Sequence, residues 1–241
     1  MDLGIESKRA VVAAASSGLG FASARALAAE GARVVICGRD RDRIDAAASS
    51  IDGDVTPVVA DVSTADGATD FVRSATEILG GLDILVTNAG GPPPGDFTST
   101  PLEAYPSALD LNLMSAVAMC HAAIPTMQAQ AWGRIVAITS LSVRQPMAQL
   151  ILSNTARAGA TGFLKTLARE VAGDGITVNS VQPGLHLTDR VTQVYGDELP
   201  DRPLGDPDDF GQVVAFLCSR QARFTTGVQL HVDGGDYAGL Q

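Results

Sequence analysis

Residues 13–39 read AAASSGLGFASARALAAEGARVVICGR, with glycines at 18 and 20 opening a helical stretch that leads into a β-branched run ending at Gly38-Arg39. An apolar run, RAVVAAA (9–15), comes just before it. Strand, glycine turn, helix and strand make a βαβ unit. Without a Cβ at the turn, a diphosphate can approach the N–H groups at the helix N-terminus. A plain strand–turn–helix with small packing residues would use similar letters. The turn's place directly after the first strand of the unit favours the dinucleotide reading.

Working outward, short β-branched runs alternate with longer helical stretches: RVVICG (33–38), VTPVVA (55–60), LDILVT (82–87), RIVAITS (134–140), ITVNSV (176–181) and VQLHVD (228–233). The strands are apolar throughout rather than alternating, so both faces should be covered. This predicts an α/β fold, a doubly wound, seven-stranded, mainly parallel sheet with helices on both faces. No linker, repeat or charge block divides the 241 residues, so a single domain (1–241) is expected. The long irregular pieces, 90–101 and 184–207, follow strand C-terminal ends, where ligands bind in such sheets.

A formal charge of −10 with no basic cluster argues against nucleic acid or anionic membrane surfaces as partners. The N-terminus lacks the pattern of a secretory leader, so a cytoplasmic location is expected. The uncharged run between Asp110 and Arg134 is interrupted by Asn112, His121, Pro125, Gln128 and Gln130, which suits a buried helix better than a membrane span. Cys37, Cys120 and Cys218 are scattered without ligand spacing, so neither disulfide nor metal is expected.

The turn Ala13-Ala14-Ala15-Ser16-Ser17-Gly18-Leu19-Gly20 resembles the T-G-x-x-x-G-x-G of the short-chain dehydrogenase/reductase family, a Rossmann-type fold, with Ala14 at the first glycine. Further matches run in order along almost the whole chain. Asp61-Val62 stands where the family's adenine-contacting pair does, and Asn88-Ala89-Gly90 resembles the end of N-N-A-G with Thr87 before it. Asn112 matches the family's helical Asn, Pro183-Gly184 with Thr188 resembles P-G-x-x-x-T, and HVDGG (231–235) resembles the closing strand and turn. The resemblance implies a nicotinamide cofactor held by Ser16, Ser17, Gly18, Leu19, Gly20, Asp61, Val62, Asn88, Ala89, Gly90, Pro183, Gly184 and Thr188, and a reductase akin to 3-oxoacyl reductases. The second strand ends Cys37-Gly38-Arg39 with no acid before Asp40, so Arg39 is read as a partner for a 2′-phosphate and NADP(H) is favoured over NAD(H). An ordinary solvated arginine is the alternative.

The family's proton donor is a tyrosine, with a lysine four residues on along the same helix face and a serine after the fifth strand. Ser140 fits the serine, but Ser153 occupies the tyrosine position and Arg157 the lysine position. A serine hydroxyl is far less acidic and shorter than a phenol, and an arginine holds charge without releasing a proton. His186 is the candidate replacement acid, since an imidazole titrates near neutrality; an uninvolved loop histidine is the alternative. Tyr195, in the expected lid, is another candidate, with a lid aromatic that only covers substrate as the alternative; Arg144, Gln145 and Gln149 are expected to face substrate, Arg144 as a carboxylate clamp, with an ordinary exposed arginine as the alternative. The candidate catalytic set is therefore Ser140, Asn112, Ser153, Arg157 and His186, with Arg157 also touching cofactor. Three readings stand: a reductase of a small-molecule carbonyl or imine with an unusual proton source, the same pocket used for elimination or isomerisation, or a silent nucleotide-binding subunit. The resemblance also implies a homo-oligomer, a tetramer or dimer, built through helices near 111–131 and 149–172 and the last strand.

Overall fold

The computed structural model describes residues 1–196 and 203–240. Seven strands, β1 (Arg9–Val12), β2 (Arg33–Gly38), β3 (Val55–Val59), β4 (Ile84–Thr87), β5 (Gly133–Ile138), β6 (Ile176–Pro183) and β7 (Gln229–Val232), form one sheet in the order β3-β2-β1-β4-β5-β6-β7. Every pairing is parallel, so the mainly parallel expectation becomes a wholly parallel sheet. The order reverses between β1 and β4, opening a crevice at the C-terminal ends of the strands.

Successive β1 side chains enter opposite layers. Ala10 and Val12 join Leu27, Ile36, Val86 and Phe210 on one side, and Val11 joins Phe71, Leu85, Met119 and Met127 on the other. The first layer lies under α1 (Gly18–Ala29), α2 (Arg41–Ser49) and α8 (Pro207–Cys218), and the second under α3 (Ala65–Leu79), α5 (Ser115–Ala129) and α6 (Ile151–Glu170). Full burial holds for the central strands only. The edge strand β3 is half exposed, which is where a strand proline such as Pro57 is tolerated.

The expected 111–131 helix starts earlier and is not uniform. A short α4 (Ala104–Leu109) passes through a π-helical turn, Asp110–Met114, into α5. The combined helix, Ala104–Ala129, is long and apolar enough to cross a membrane by length and composition, and it packs against α3 and α6. The expected 149–172 helix begins at Ile151, because Gln149 has φ 60° and its carbonyl instead accepts a bond from Gly95 N–H at 2.7 Å. At the N-terminal edge of the sheet, Arg9 Nε donates to Asp83 at 2.7 Å and Nη2 to Gln130 at 2.6 Å, tying β1 to β4 and the end of α5. Burial raises the Asp83 carboxyl, but the bonds and charge from Arg9 outweigh it and hold it below its ordinary value.

Candidate active site

The glycine turn has the conformation its sequence demands. Gly18 lies at φ 63°, and Ala14 also lies in the left-handed region at φ 48°, where a glycine would be unstrained. Gly20 is bare for a different reason: a Cβ there would stand 2.6 Å from Asn88 Nδ2 and 2.7 Å from the Ala14 carbonyl oxygen. Those two atoms are themselves hydrogen bonded at 3.1 Å, so the β4 end is stitched to the turn. Beneath it the buried Cys37 accepts from Ala14 N–H at 3.4 Å, and burial pushes its thiol up to about 12, so it packs as a neutral side chain. Ser17 precedes α1 in an extended conformation and makes no side-chain cap. The first N–H groups of α1, at Gly18, Leu19 and Gly20, therefore have no side-chain cap competing with an anion.

The end of β2 abuts the turn, with Gly38 close to Ser16. Arg39 is exposed here, whereas the next acid, Asp40, is occupied in capping α2 through Arg43 N–H at 2.9 Å. Across from it Val62 is buried, and Asp61 accepts from Ser63 N–H at 2.9 Å. Burial raises the Asp61 carboxyl, but the Ser63 bonds and the nearby Arg39 charge bring it below its ordinary value. Thr188 closes the cleft from the β6 side. Its methyl carbon lies 3.7 Å from where a Gly18 Cβ would be, and its Oγ1 donates to His186 O at 3.3 Å. Gly184 sits so near Asp233 that a Cβ would come within 2.7 Å of its Cα, which packs Pro183-Gly184 against the turn after β7.

The loop after β4 is gripped by three side chains from three elements. Arg157 Nη2 donates to Ala89 O at 3.5 Å, Asn112 Nδ2 to Gly90 O at 2.9 Å, and Arg190 Nη2 to Pro92 O at 2.9 Å. Arg157 also reaches the β5 end, with Nη1 donating to Ile138 O at 3.0 Å and Thr139 O at 3.2 Å. Burial first, and the Arg190 charge second, lower its guanidinium to about 10, still cationic at neutral pH. The π-helical turn carries Asn112, whose buried Oδ1 has no hydrogen-bond partner among the described residues. A cavity of about 20 Å³ lies here, lined among others by Asn88, Asn112, Thr139 and Arg157. It is large enough for one water.

Ser140 follows β5, and its Oγ accepts from Ser142 N–H at 3.1 Å, leaving its own proton free to donate. Ser153 is buried in the first turn of α6, and its hydroxyl makes no hydrogen bond to another side chain or carbonyl among the described residues. His186 is buried too, with its ring edge against Phe210 at 5.2 Å between centroids and Nδ1 3.3 Å from Gly184 O. Burial lowers its pKa, favouring the neutral ring. Gln145 is committed to the C-terminal segment, donating to Asp236 O and accepting from Ala238 N–H, and Gln149 donates to Asp96 at 3.2 Å. Arg144 lies over the Tyr237 ring at 5.1 Å. Each of the three side chains thus has a partner within the protein. The Tyr195 side chain and residues 197–202 of the expected lid lie outside the described residues. Among the described residues no group of side chains is placed to hold a metal.

Sequence reasoning passed over Arg190. In α7 (Asp189–Tyr195) it follows the Thr188 match by two positions, and only the fold reveals that it crosses to Pro92.

This geometry has close counterparts. The family model described as Enoyl-(Acyl carrier protein) reductase matches residues 13–236. A 3-oxoacyl-[acyl-carrier-protein] reductase FabG of Vibrio cholerae is 33% identical, over 98% of this chain and 99% of that protein. The solved L-sorbose reductase of Gluconobacter frateurii, complexed with NADPH and L-sorbose, superposes with a TM-score of 0.91 at 33% identity, covering 100% of both chains. A 7α-hydroxysteroid dehydrogenase complexed with NADH and 7-oxo glycochenodeoxycholic acid gives 0.91 at 28% identity, covering 100% of this chain and 98% of that one. With sheet order, glycine turn and overall match in agreement, the chain belongs to the short-chain dehydrogenase/reductase family of oxidoreductases.

Proposed function

We propose that the protein is an NADP(H)-dependent reductase acting on a carbonyl or imine of a small molecule, with a proton source other than tyrosine. The observation that carries this reading is the convergence of the bare Gly18–Gly20 turn, Thr188 and the Ala89–Pro92 loop on one crevice at the strand ends. The residues fit a dinucleotide: the α1 amides lack a competing cap, and a Cβ at Gly20 would break the stitch to Asn88. NADP(H) is supported by the exposed Arg39 at the β2 end, while Asp40 is engaged as a helix cap.

When bound, the nicotinamide supplies or accepts hydride. Ser140 would donate its free proton to the substrate oxygen and orient it. Arg157 would hold positive charge beside the oxygen as negative charge develops there, without giving up a proton. Protonation would then come from a water at Ser140 and Ser153, or be unnecessary for an imine that arrives protonated. His186 is less favoured as the donor, because its packing against Phe210 keeps it neutral.

Titration of the purified protein with NADPH and NADH by nicotinamide fluorescence tests the reading. NADPH is expected to bind more tightly, with Arg39→Ala weakening NADPH about tenfold or more and leaving NADH unchanged. NADH binding as well as NADPH would remove the NADP(H) assignment. No binding of either would leave the non-redox or silent subunit in its place. We propose further that the protein works in the cytoplasm as a homotetramer, a reading supported by apolar Phe216 and fully exposed Phe224 near the last strand. A monomer mass in light scattering would overturn that assembly.

A further inference from the structure

Arg157, from α6, and Arg190, from α7, reach the same loop. Arg157 is held by Ile138 O and Thr139 O and extends to Ala89 O at 3.5 Å, and Arg190 donates to Pro92 O at 2.9 Å. The Arg190 guanidinium lies against Gly91, where a Cβ would stand 2.6 Å from its Nη2 and 2.7 Å from its Cζ, so a larger residue there would displace the guanidinium from its present position. Neither arginine joins an ion pair among the described residues, although the chain as a whole carries ten excess negative charges. Each feels the other or its own desolvation rather than a carboxylate: the Arg190 charge lowers Arg157, and burial lowers Arg190. Among the described residues Arg190 uses one of its five N–H donors on protein, which leaves the rest of its fork to a ligand.

Two guanidiniums bonded to the same short loop, close enough for one charge to lower the other and with no carboxylate partner among the described residues, favour an anion beside them. A planar carboxylate suits the fork, accepting two parallel bonds from one guanidinium. We infer that Arg190, acting with Arg157, is a specificity residue that binds a carboxylate on the substrate, so that the substrates are oxo or imino compounds carrying an acid group near the reacting carbon. This rests on the hydride chemistry proposed above and names the substrate class for it. A substrate fixed at its carboxylate is oriented without help from the side chain at position 153, which accords with the serine there. The same chemistry could instead serve the cofactor's diphosphate, and the experiment separates the two.

The probes are oxalate, acetate and the neutral acetamide, titrated calorimetrically into the whole protein with and without saturating NADPH. Saturable oxalate binding that persists on the NADPH-loaded protein, with no binding of acetamide, is expected. Arg190→Met should weaken oxalate on the NADPH-loaded protein about tenfold or more, a larger loss than any it causes in NADPH affinity by loosening the loop at Pro92, and Arg190→Lys should retain an intermediate affinity. Absence of saturable oxalate binding to wild type, or equal affinity in Arg190→Met, overturns the inference. Competition between oxalate and NADPH, or a loss of NADPH affinity in Arg190→Met as large as the loss for oxalate, also overturns it by giving the arginine to the diphosphate. If NADPH fails to bind while oxalate still depends on Arg190, the anion clamp stands and the hydride reading alone falls.

Discussion

Adding one methyl group at position 20 tests the geometry of the cofactor crevice directly. In Gly20→Ala the new carbon enters 2.6 Å from Asn88 Nδ2 and 2.7 Å from Ala14 O, beside the bond that joins them, and 3.3 Å from Ala13 O. Two of its neighbours are backbone carbonyls of the turn, which cannot swing aside as a flexible side-chain tip would. Overpacking of this kind costs about 1–3 kcal/mol. Loss of the Asn88–Ala14 bond adds about 0.5–1.5 kcal/mol. Replacing glycine within a helix returns about 0.5–1 kcal/mol. The balance is a destabilisation of about 2 kcal/mol, or a fall in Tm of about 4–8 °C for a chain of this length. Urea unfolding followed by circular dichroism should show a lower midpoint with an unchanged slope. NADPH affinity should fall with it, since the displaced carbonyl belongs to the turn that shapes the crevice. Gly162→Ala in α6 is the control: a Cβ there meets nothing within 4 Å, so stability should rise by about 0.5–1 kcal/mol. A Gly20→Ala protein as stable as wild type would refute the close-approach argument.

Ser140→Ala should lower turnover about a hundredfold, the scale of one lost polar contact at a reacting oxygen, and Asn112→Ala should lower it by releasing the Gly90 carbonyl, while Ser153→Ala changes it less; equal rates in all three would remove the proposed roles. The pair Ser153→Tyr with Arg157→Lys should reduce simple neutral ketones with NADPH; continued inactivity with intact NADPH binding would mean that the substrate side has diverged as well. Asp83→Asn should destabilise the fold by about 2 kcal/mol at neutral pH through loss of charged bonds to Arg9. Because the folded carboxyl lies below its ordinary value of 3.8, its contribution is fully present above that pH and is lost as pH falls further. Urea midpoints for Asp83→Asn and wild type should therefore converge in strong acid, and a constant gap down to pH 2 would contradict this.

The fold was legible because its signals are local. Runs such as RVVICG and RIVAITS are β-branched with no polar alternation, and the glycine pair at 18 and 20 marks where chain direction reverses. The strain at Ala14 was legible too, because a missing glycine in a turn motif names the residue that must take a positive φ, and it lies at φ 48°. The π-helical turn at Asp110–Met114 was not legible. It changes hydrogen-bond registry by one residue within an apolar stretch, and its polar residue Asn112 bonds to Gly90, 22 residues away in sequence. Arg190 was hidden for a similar reason. Among fifteen arginines, nothing nearby in the chain marks the one whose partner is Pro92, and the bareness of Gly91 has meaning only once the two loops meet. For Arg144, Gln145 and Gln149, proximity to Ser140 in sequence suggested substrate contacts, and their partners in the C-terminal segment and at Asp96, far away in the chain, were not legible there.

The strand order β3-β2-β1-β4-β5-β6-β7 has a consequence for synthesis. β1 acquires its β2 neighbour soon after it is made, but its other edge must wait for β4, which ends at Thr87. Between Gly38 and Thr87 lie about 50 residues, or roughly 3–10 s of translation. Through that interval a fully buried strand of the finished protein presents a row of unpaired amides and carbonyls on an apolar ribbon, an open template for pairing with another nascent chain. A chaperone that shields the ribbon, or slower initiation that spaces ribosomes on the message, should raise soluble yield more than any change made to residues translated after β4.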